Sequence, residues 1–143
     1  MTQIDLLRRL ASSAIELVLI GGVAVRLHGS TRVTQDVDVV ARTLDLDRIL
    51  QIAIRAGYCL VVSVDNAGAE VVTDLGFANR WIESTKPGSL SFVALPKDVG
   101  GLEMPVAAPA DLIRLKEART DRSTADDADI AFLRPLAEND GRN

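Results

Sequence analysis

Apolar residues recur at helical spacing in several segments of the chain, with polar residues on the opposite face of each. Gly57 follows one of these segments as a typical helix stop, and Pro109 suits the first turn of another. Thr124 is predicted as the N-cap of the last helix, with Asp127 three residues later completing a capping box. The predicted helices cover residues 4–14, 44–56, 69–75 and 109–119, and a last segment from Thr124 onward.

Short runs of apolar residues between these segments predict strands. Lys86, Pro87 and Gly88 supply a turn that would join two of them as a hairpin, whereas residues 97–101 predict a loop. Residues 69–75 fit either a helix or a strand, and we predict a helix. The predicted strands cover residues 17–20, a second strand carrying Asp36 and Asp38, and residues 58–64, 77–85, 89–95 and 103–107.

Composition limits the class of protein. The chain has 143 residues, of which 48% are apolar, so it can bury one core, and we predict a single domain over residues 1–143. The predicted elements favour an α+β fold in which a mixed, twisted β-sheet is backed by helices. A formal net charge of −4 argues against a protein that coats nucleic acid, although a local basic groove for RNA remains compatible with it.

Cysteine content and hydropathy bear on location. Cys59 is the only cysteine, which rules out an intrachain disulfide and fits a reducing compartment. No apolar run approaches the roughly 18 residues that a membrane span requires. We therefore expect a cytoplasmic protein with no membrane partner.

His28 is the only histidine, and we interpret it as a residue near the carbonyl groups at a helix end.

The most informative chemistry lies between residues 17 and 41, where a glycine pair follows a short apolar strand and two aspartates lie on the next strand. Residues two apart in a strand face the same side, so Asp36 and Asp38 project together, roughly 6.6 Å apart along the chain. Two carboxylates about 4 Å apart near a surface repel by about 4 kcal/mol, which a divalent cation relieves. Mg²⁺ binds one or two carboxylates together with substrate phosphates. Gly21 and Gly22 would let the backbone N–H groups at a helix start approach such phosphates.

Each half of this arrangement also has a plain structural interpretation. A glycine pair after a strand is often only a turn, and two aspartates two residues apart are often a solvated strand end. Their occurrence together on adjacent predicted strands favours a functional site.

The residues Gly21, Gly22, Gly29, Arg32, Thr34, Asp36 and Asp38 resemble the first motif of the nucleotidyltransferase superfamily, which has the polymerase-β-like fold. Their arrangement is similar to that of the AbiEii-type branch, which contains toxins of type IV toxin–antitoxin systems. The resemblance implies Mg²⁺-dependent transfer of a nucleoside monophosphate from a nucleoside triphosphate to RNA, with tRNA as one candidate, or to a protein. It implies Mg²⁺ ligands at Asp36 and Asp38, nucleotide contacts from Gly21, Gly22, Arg32 and Thr34, and a cognate antitoxin or toxin as partner.

The resemblance also implies a third acidic metal ligand on the second strand of the predicted hairpin, but the best-matching position is Ser91. If the hairpin has a three-residue loop, Glu83 faces Ser91 and could supply the missing carboxylate. A two-residue loop would place Ser84 opposite Ser91 and Glu83 on the other face. The alternatives are a degraded site in a module that binds a partner protein or nucleotide, or an antitoxin-like member of a pair.

The C-terminal helices bring charge to the core side. Lys116 and Arg119 fall within the apolar arc of the helix that starts at Pro109, and Asp126 and Asp129 share the core face of the last helix. Inward charges need partners, and either an ion pair between the two helices or a bound triphosphate would supply them. By resemblance to the AbiEii-like C-terminal motif, Lys116 is expected to bind phosphate, with Asp126 or Asp129 as a supporting acid.

Overall fold

A computed structural model describes residues 3–34, 37–41, 45–57, 61–65, 68–72, 77–80, 93–117 and 122–140. Five helices and seven strands lie within these ranges. In chain order they are α1 (Gln3–Ser12), β1 (Leu17–Ile20), α2 (Gly21–Leu27), β2 (Val37–Ala41), α3 (Leu46–Arg55), β3 (Val61–Asp65), β4 (Gly68–Val72), β5 (Phe77–Arg80), β6 (Ala94–Val99), β7 (Leu102–Ala107), α4 (Pro109–Glu117) and α5 (Thr124–Asp140).

The described strands form one mixed sheet in the order β3-β4-β5-β2-β1-β7-β6. β1 lies near its middle, antiparallel to β2 and parallel to β7, and β2 is parallel to β5. Helix α1 packs against β7 and β6, and α2 packs against β1 and β2. This architecture confirms the predicted α+β fold, with a mixed sheet backed by helices.

The core forms where α1 packs on β7 and α2 packs on β1 and β2. On α1, Leu10 lies four positions after Leu6 and three after Leu7, and all three are fully buried, as expected for one apolar face of a helix. In β1, Leu19 is fully buried between its register partners Val39 of β2 and Val106 of β7. Burying side chains of this size stabilises the fold by about 1.5–3 kcal/mol each. The site-bearing end of β1 is therefore anchored in the best-packed part of the described chain.

The helix predicted over residues 69–75 is wrong for residues 69–72, and residues 73–75 lie outside the described ranges. Residues Gly68–Val72 instead form β4, antiparallel to β3, with Val72 opposite Val61 and Val71 opposite Val62. Valine is restricted at χ1 and suits the pleated surface of a sheet better than a helix. Strand pairing over this stretch therefore outweighs the local helical spacing.

The predicted pairing of residues 77–85 with residues 89–95 is wrong for the described part of those strands. β5 lies between β2 and β4, so neighbours already occupy both of its edges. β6 pairs with β7 at the opposite end of the sheet. The turn residues Lys86–Gly88, together with Glu83, Ser84 and Ser91, lie outside the described residues.

Of two predictions for residues 97–107, the loop is shorter than predicted and the strand is confirmed. Lys97 and Asp98, predicted in a loop, lie in β6, and the β6–β7 hairpin turns through Gly100 and Gly101, whose φ angles are +60° and +92°. Positive φ at both central residues is the requirement of a tight two-residue hairpin turn, which explains the glycine pair. The strand predicted over residues 103–107 is confirmed as β7.

The cap of α5 lies one residue earlier than predicted. The Ser123 hydroxyl oxygen accepts a hydrogen bond from the Asp126 N–H at 3.2 Å, and the Asp126 carboxylate accepts one from the Ser123 N–H at 3.1 Å. This reciprocal arrangement is a capping box, so Ser123, and not Thr124, is the N-cap. Asp127 instead pairs with Arg122 at 3.0 Å. Both candidate caps have an aspartate three residues on, and the observed register places Asp126 in the interior.

Candidate active site

The site is built where β1 ends and α2 begins. Ile20, the last residue of β1, is the register partner of Asp38 in β2, so Asp38 lies beside the start of α2. Gly21 opens α2 with a φ of +73°. A β-carbon at Gly21 would overlap Oδ2 of Asp38 and would lie 2.9 Å from both Cβ and Cγ of that residue. The structure thus brings the half-buried Asp38 carboxylate directly against the glycine bend.

The other predicted acidic ligands lie outside the described residues: Asp36 immediately precedes β2, and Glu83 lies in the stretch before β6. Within the described ranges, no three His, Cys, Asp or Glu side chains are grouped in a way that would hold a metal ion. Asp38 is the predicted metal ligand that the structure does place. Its oxygen donors and its position beside a backbone bend suit Mg²⁺, which accepts one or two protein carboxylates.

Arg32 and Thr34 pack onto the second glycine of the bend. A β-carbon at Gly22 would lie 2.6 Å from Nη1 of Arg32 and 2.9 Å from Cγ2 of Thr34. Gly22 therefore leaves the space that these two side chains occupy, which explains a glycine here without any need for a positive φ. The structure groups Gly21, Gly22, Arg32, Thr34 and Asp38 in one region.

The loop that carries Arg32 and Thr34 is held from α1. Gln3 donates a hydrogen bond from Nε2 to the Thr34 carbonyl oxygen at 2.8 Å, and its Oε1 accepts one from Nη2 of Arg26 at 2.5 Å. Within the loop, the Ser30 hydroxyl oxygen accepts a hydrogen bond from the Arg32 N–H at 3.1 Å. The sequence gives no local signal for the contribution of Gln3, because it lies 31 residues from Thr34.

Four charged side chains form a cluster that joins this loop to α4 and α5. Nζ of Lys116 lies 3.2 Å from Oδ1 of Asp126 and 3.0 Å from Oδ2 of Asp129, and Nη1 of Arg32 lies 2.5 Å from the same Oδ2. The predicted ion pair between the two C-terminal helices is thereby confirmed for Lys116. Arg119 lies outside the described residues. We call Arg32, Lys116, Asp126 and Asp129 the charged cluster.

His28 has a structural position. It is the C-cap residue of α2, and its Nε2 donates a hydrogen bond to the Ala107 carbonyl oxygen at 2.8 Å. The interpretation of His28 as a helix-end residue near carbonyl groups is confirmed. Its bond ties the end of α2 to the end of β7, next to β1.

The overall fold is similar to that of several solved structures. The antibiotic-resistance factor ANT(2'')-Ia is similar in its solution structure, with a TM-score of 0.66 and 16% identity over 94% of this chain and 84% of that one. Its crystal structure in complex with adenylyl-2''-tobramycin gives a TM-score of 0.63 and 17% identity over 94% and 88%. The lincosamide antibiotic adenylyltransferase LnuA, with lincomycin bound, gives 0.58 and 18% identity over 84% and 86%.

Neither a family model nor a curated protein matches the sequence. None of the helices in the described ranges is long and apolar enough to cross a membrane. At identities of 16–18% the structural similarity establishes the fold. The chain therefore has the fold of nucleotidyltransferases of known structure.

Proposed function

We propose that the protein is a nucleotidyltransferase that moves a nucleoside monophosphate group from a nucleoside triphosphate to an acceptor hydroxyl or phosphate. The observation that supports this most is the Asp38 carboxylate against Gly21, at the start of α2 in a nucleotidyltransferase fold. Resemblance of the first motif to the same superfamily also supports the proposal.

The reaction makes one bond and breaks one. The acceptor oxygen attacks the α-phosphorus, the bond from that phosphorus to the bridging oxygen of the β-phosphate breaks, and pyrophosphate leaves while the acceptor hydroxyl releases its proton. Asp38 would hold Mg²⁺ together with Asp36, which the sequence motif alone suggests as a ligand. When bound, Mg²⁺ would neutralise phosphate charge and activate the attacking oxygen.

A third acidic ligand in place of Ser91 is proposed from the resemblance. The hairpin that would place Glu83 opposite Ser91 is not formed by the described parts of its strands, so the assignment to Glu83 rests on sequence alone. Glu83→Gln tests it, because unchanged metal-dependent activity would exclude that role.

The remaining site residues bind and orient the triphosphate. Gly21 and Gly22 let the chain approach phosphate closely because no β-carbon stands in the way. Arg32 keeps a part-exposed guanidinium beside Gly22 and has five N–H donors in a planar fork that suits phosphate oxygens. Thr34 packs against the same glycine.

The acceptor defines two versions of the proposal. The resemblance to the AbiEii-type branch favours RNA, including tRNA, or a protein, and a toxin role with a cognate antitoxin. The structural neighbours favour a small molecule, because one is seen with adenylylated tobramycin and another with lincomycin. The rival proposal is a binding module or an antitoxin-like protein without catalytic activity, and Ser91 at the expected acidic position supports it.

Transfer of a labelled nucleotide tests the proposal. The protein is incubated with each α-labelled nucleoside triphosphate and Mg²⁺, with total RNA, with cell protein, or with an aminoglycoside or lincosamide as acceptor. We expect label on one acceptor class, and its loss in Asp38→Ala. Asp98→Ala, which removes an exposed carboxylate from β6, is the control and should retain transfer. No transfer to any acceptor, together with no binding of Mg²⁺–nucleotide, would contradict the enzyme and favour the binding module.

A further inference from the structure

The charged cluster joins three separate parts of the chain. Lys116 lies on α4, Asp126 and Asp129 on α5, and Arg32 on the loop beside Gly22. The side chains of the first three are 4–7% exposed, whereas that of Arg32 is 30% exposed. Buried charges are costly unless they are paired, and two cations here meet two carboxylates. The cluster therefore satisfies its own charges in the interior and reaches the surface through Arg32.

Lys116 and Arg32 differ in what they can offer a phosphate. The Lys116 ammonium lies within 3.2 Å of both Asp126 and Asp129, and its side chain is 7% exposed, so it is engaged by buried carboxylates and presents little surface to a ligand. The Arg32 contact to Asp129 is made by Nη1, one of three nitrogens that carry its five donors. The guanidinium can thus be held on one side and bind an anion on another.

Oδ2 of Asp129 connects the two cations. It lies 2.5 Å from Nη1 of Arg32 and 3.0 Å from Nζ of Lys116. Lys116 draws this oxygen toward α4, and the oxygen in turn fixes the direction in which the Arg32 side chain leaves its loop. Gly22 completes the arrangement, because Nη1 occupies the space that a β-carbon there would need.

We infer that Asp129 is a positioning residue that holds the Arg32 guanidinium beside Gly22 for contact with the nucleotide phosphates, and that Lys116 acts through Asp129 and not by touching phosphate. The inference rests on the proposed function. It assigns to Arg32 the phosphate contact that the C-terminal motif attributes to Lys116, and it gives the buried cluster a role in ligand affinity as well as in packing.

A double-mutant cycle tests the link. Binding of each nucleoside triphosphate with Mg²⁺ is measured by calorimetry for the wild type, Arg32→Ala, Asp129→Asn and the double variant. We expect each single variant to raise Kd about tenfold, and the double variant to match Arg32→Ala within about twofold, since Asp129 acts through Arg32. Losses that multiply to about a hundredfold would overturn the inference.

Matched carboxylates separate positioning from folding. Asp126 is as buried as Asp129 and contacts the same lysine, so Asp126→Asn should lower the melting temperature comparably. Its effect on Kd should be severalfold smaller than that of Asp129→Asn, and Asp127→Asn on the exposed side of α5 should leave Kd unchanged. Equal losses of affinity for Asp126→Asn and Asp129→Asn would show a general effect of the cluster on folding and would contradict the inference.

A second measurement needs no buried substitution. In the wild-type protein, the side-chain nitrogen resonances of Arg32 and Lys116 are followed by NMR during titration with ATP and the other nucleoside triphosphates. We expect the Arg32 resonance to shift more than that of Lys116, and the reverse order would overturn the inference. If the wild type binds no nucleotide by either method, the proposed function itself fails, whereas binding with multiplicative losses would contradict only the role of Asp129.

Discussion

The side chain of Asp38 occupies the space that a β-carbon at Gly21 would need. The two residues are brought together by the antiparallel pairing of β1 with β2, in which Ile20 lies opposite Asp38. A carboxylate against a glycine bend is an arrangement that binding of a cation and a polyphosphate would use, and the fold around it is that of nucleotidyltransferases. Several expected outcomes depend on this contact and on the charged cluster beside it.

Gly21→Ala should destabilise the protein more than Gly101→Ala. Both glycines have positive φ, so alanine costs roughly 1–2 kcal/mol at either position. Only at Gly21 would the new methyl group also overlap Asp38, whereas nothing lies within 4 Å of a β-carbon at Gly101. We expect about 1–3 kcal/mol of additional loss from overpacking at Gly21, measured by urea unfolding. Equal losses at the two positions would show that the Asp38 contact adds nothing.

Gly22→Ala should separate binding from stability. Alanine favours a helix over glycine by up to about 1 kcal/mol, and the crowding falls on the far end of the long Arg32 side chain and on the Thr34 methyl group. We therefore expect unfolding free energies within about 1 kcal/mol of the wild type. Displacement of Arg32 should raise the Kd for a nucleoside triphosphate roughly tenfold, or about 1.4 kcal/mol. An unchanged Kd would argue against a phosphate contact from Arg32.

Lys116→Met should be among the most damaging substitutions outside the apolar core. It leaves the buried carboxylates of Asp126 and Asp129 without the cation they share, and breaking a buried pair in this way costs about 3–5 kcal/mol. Arg134→Met is the matched control, because the pair between Arg134 and Glu117 is about half exposed and such pairs contribute less than about 1 kcal/mol. Denaturant unfolding of both variants measures the difference, and similar small losses would contradict the buried character of the cluster.

Ser123→Ala should destabilise α5, whereas Thr124→Ala should not. Loss of an N-cap hydroxyl costs typically about 1 kcal/mol, and the Ser123 hydroxyl is the one that accepts the Asp126 N–H. Thr124 is an exposed first residue of the helix, so its change to alanine should stay within about 0.5 kcal/mol. Thermal unfolding of the two variants checks the register, and a larger loss for Thr124→Ala would favour the cap one residue later.

The local positions of several motif residues were easier to predict from the sequence than the sheet around them, for physical reasons. The glycine pair, Asp38 and the inward direction of Lys116 follow from local periodicity, because strand and helix geometry fix which face each residue occupies. Arg32 meets Asp129 across 97 residues, and no local pattern relates them. The choice of strand at Gly68–Val72 and the neighbours of β5 depend on pairings between distant segments. The predicted cap at Thr124 lies one residue too late. Ser123 and Thr124 each have an aspartate three residues later, and the burial of Asp126 decides between them.

Binding of a nucleoside triphosphate with and without Mg²⁺, measured by calorimetry for the wild type and Asp38→Asn, tests the central claim most directly. The account predicts that the wild type binds the nucleotide at least tenfold more tightly when Mg²⁺ is present, and that Asp38→Asn abolishes this dependence while it retains the wild-type fold by circular dichroism. Equal affinity with and without Mg²⁺ in the wild type, or an unchanged Mg²⁺ dependence in Asp38→Asn, would contradict the account.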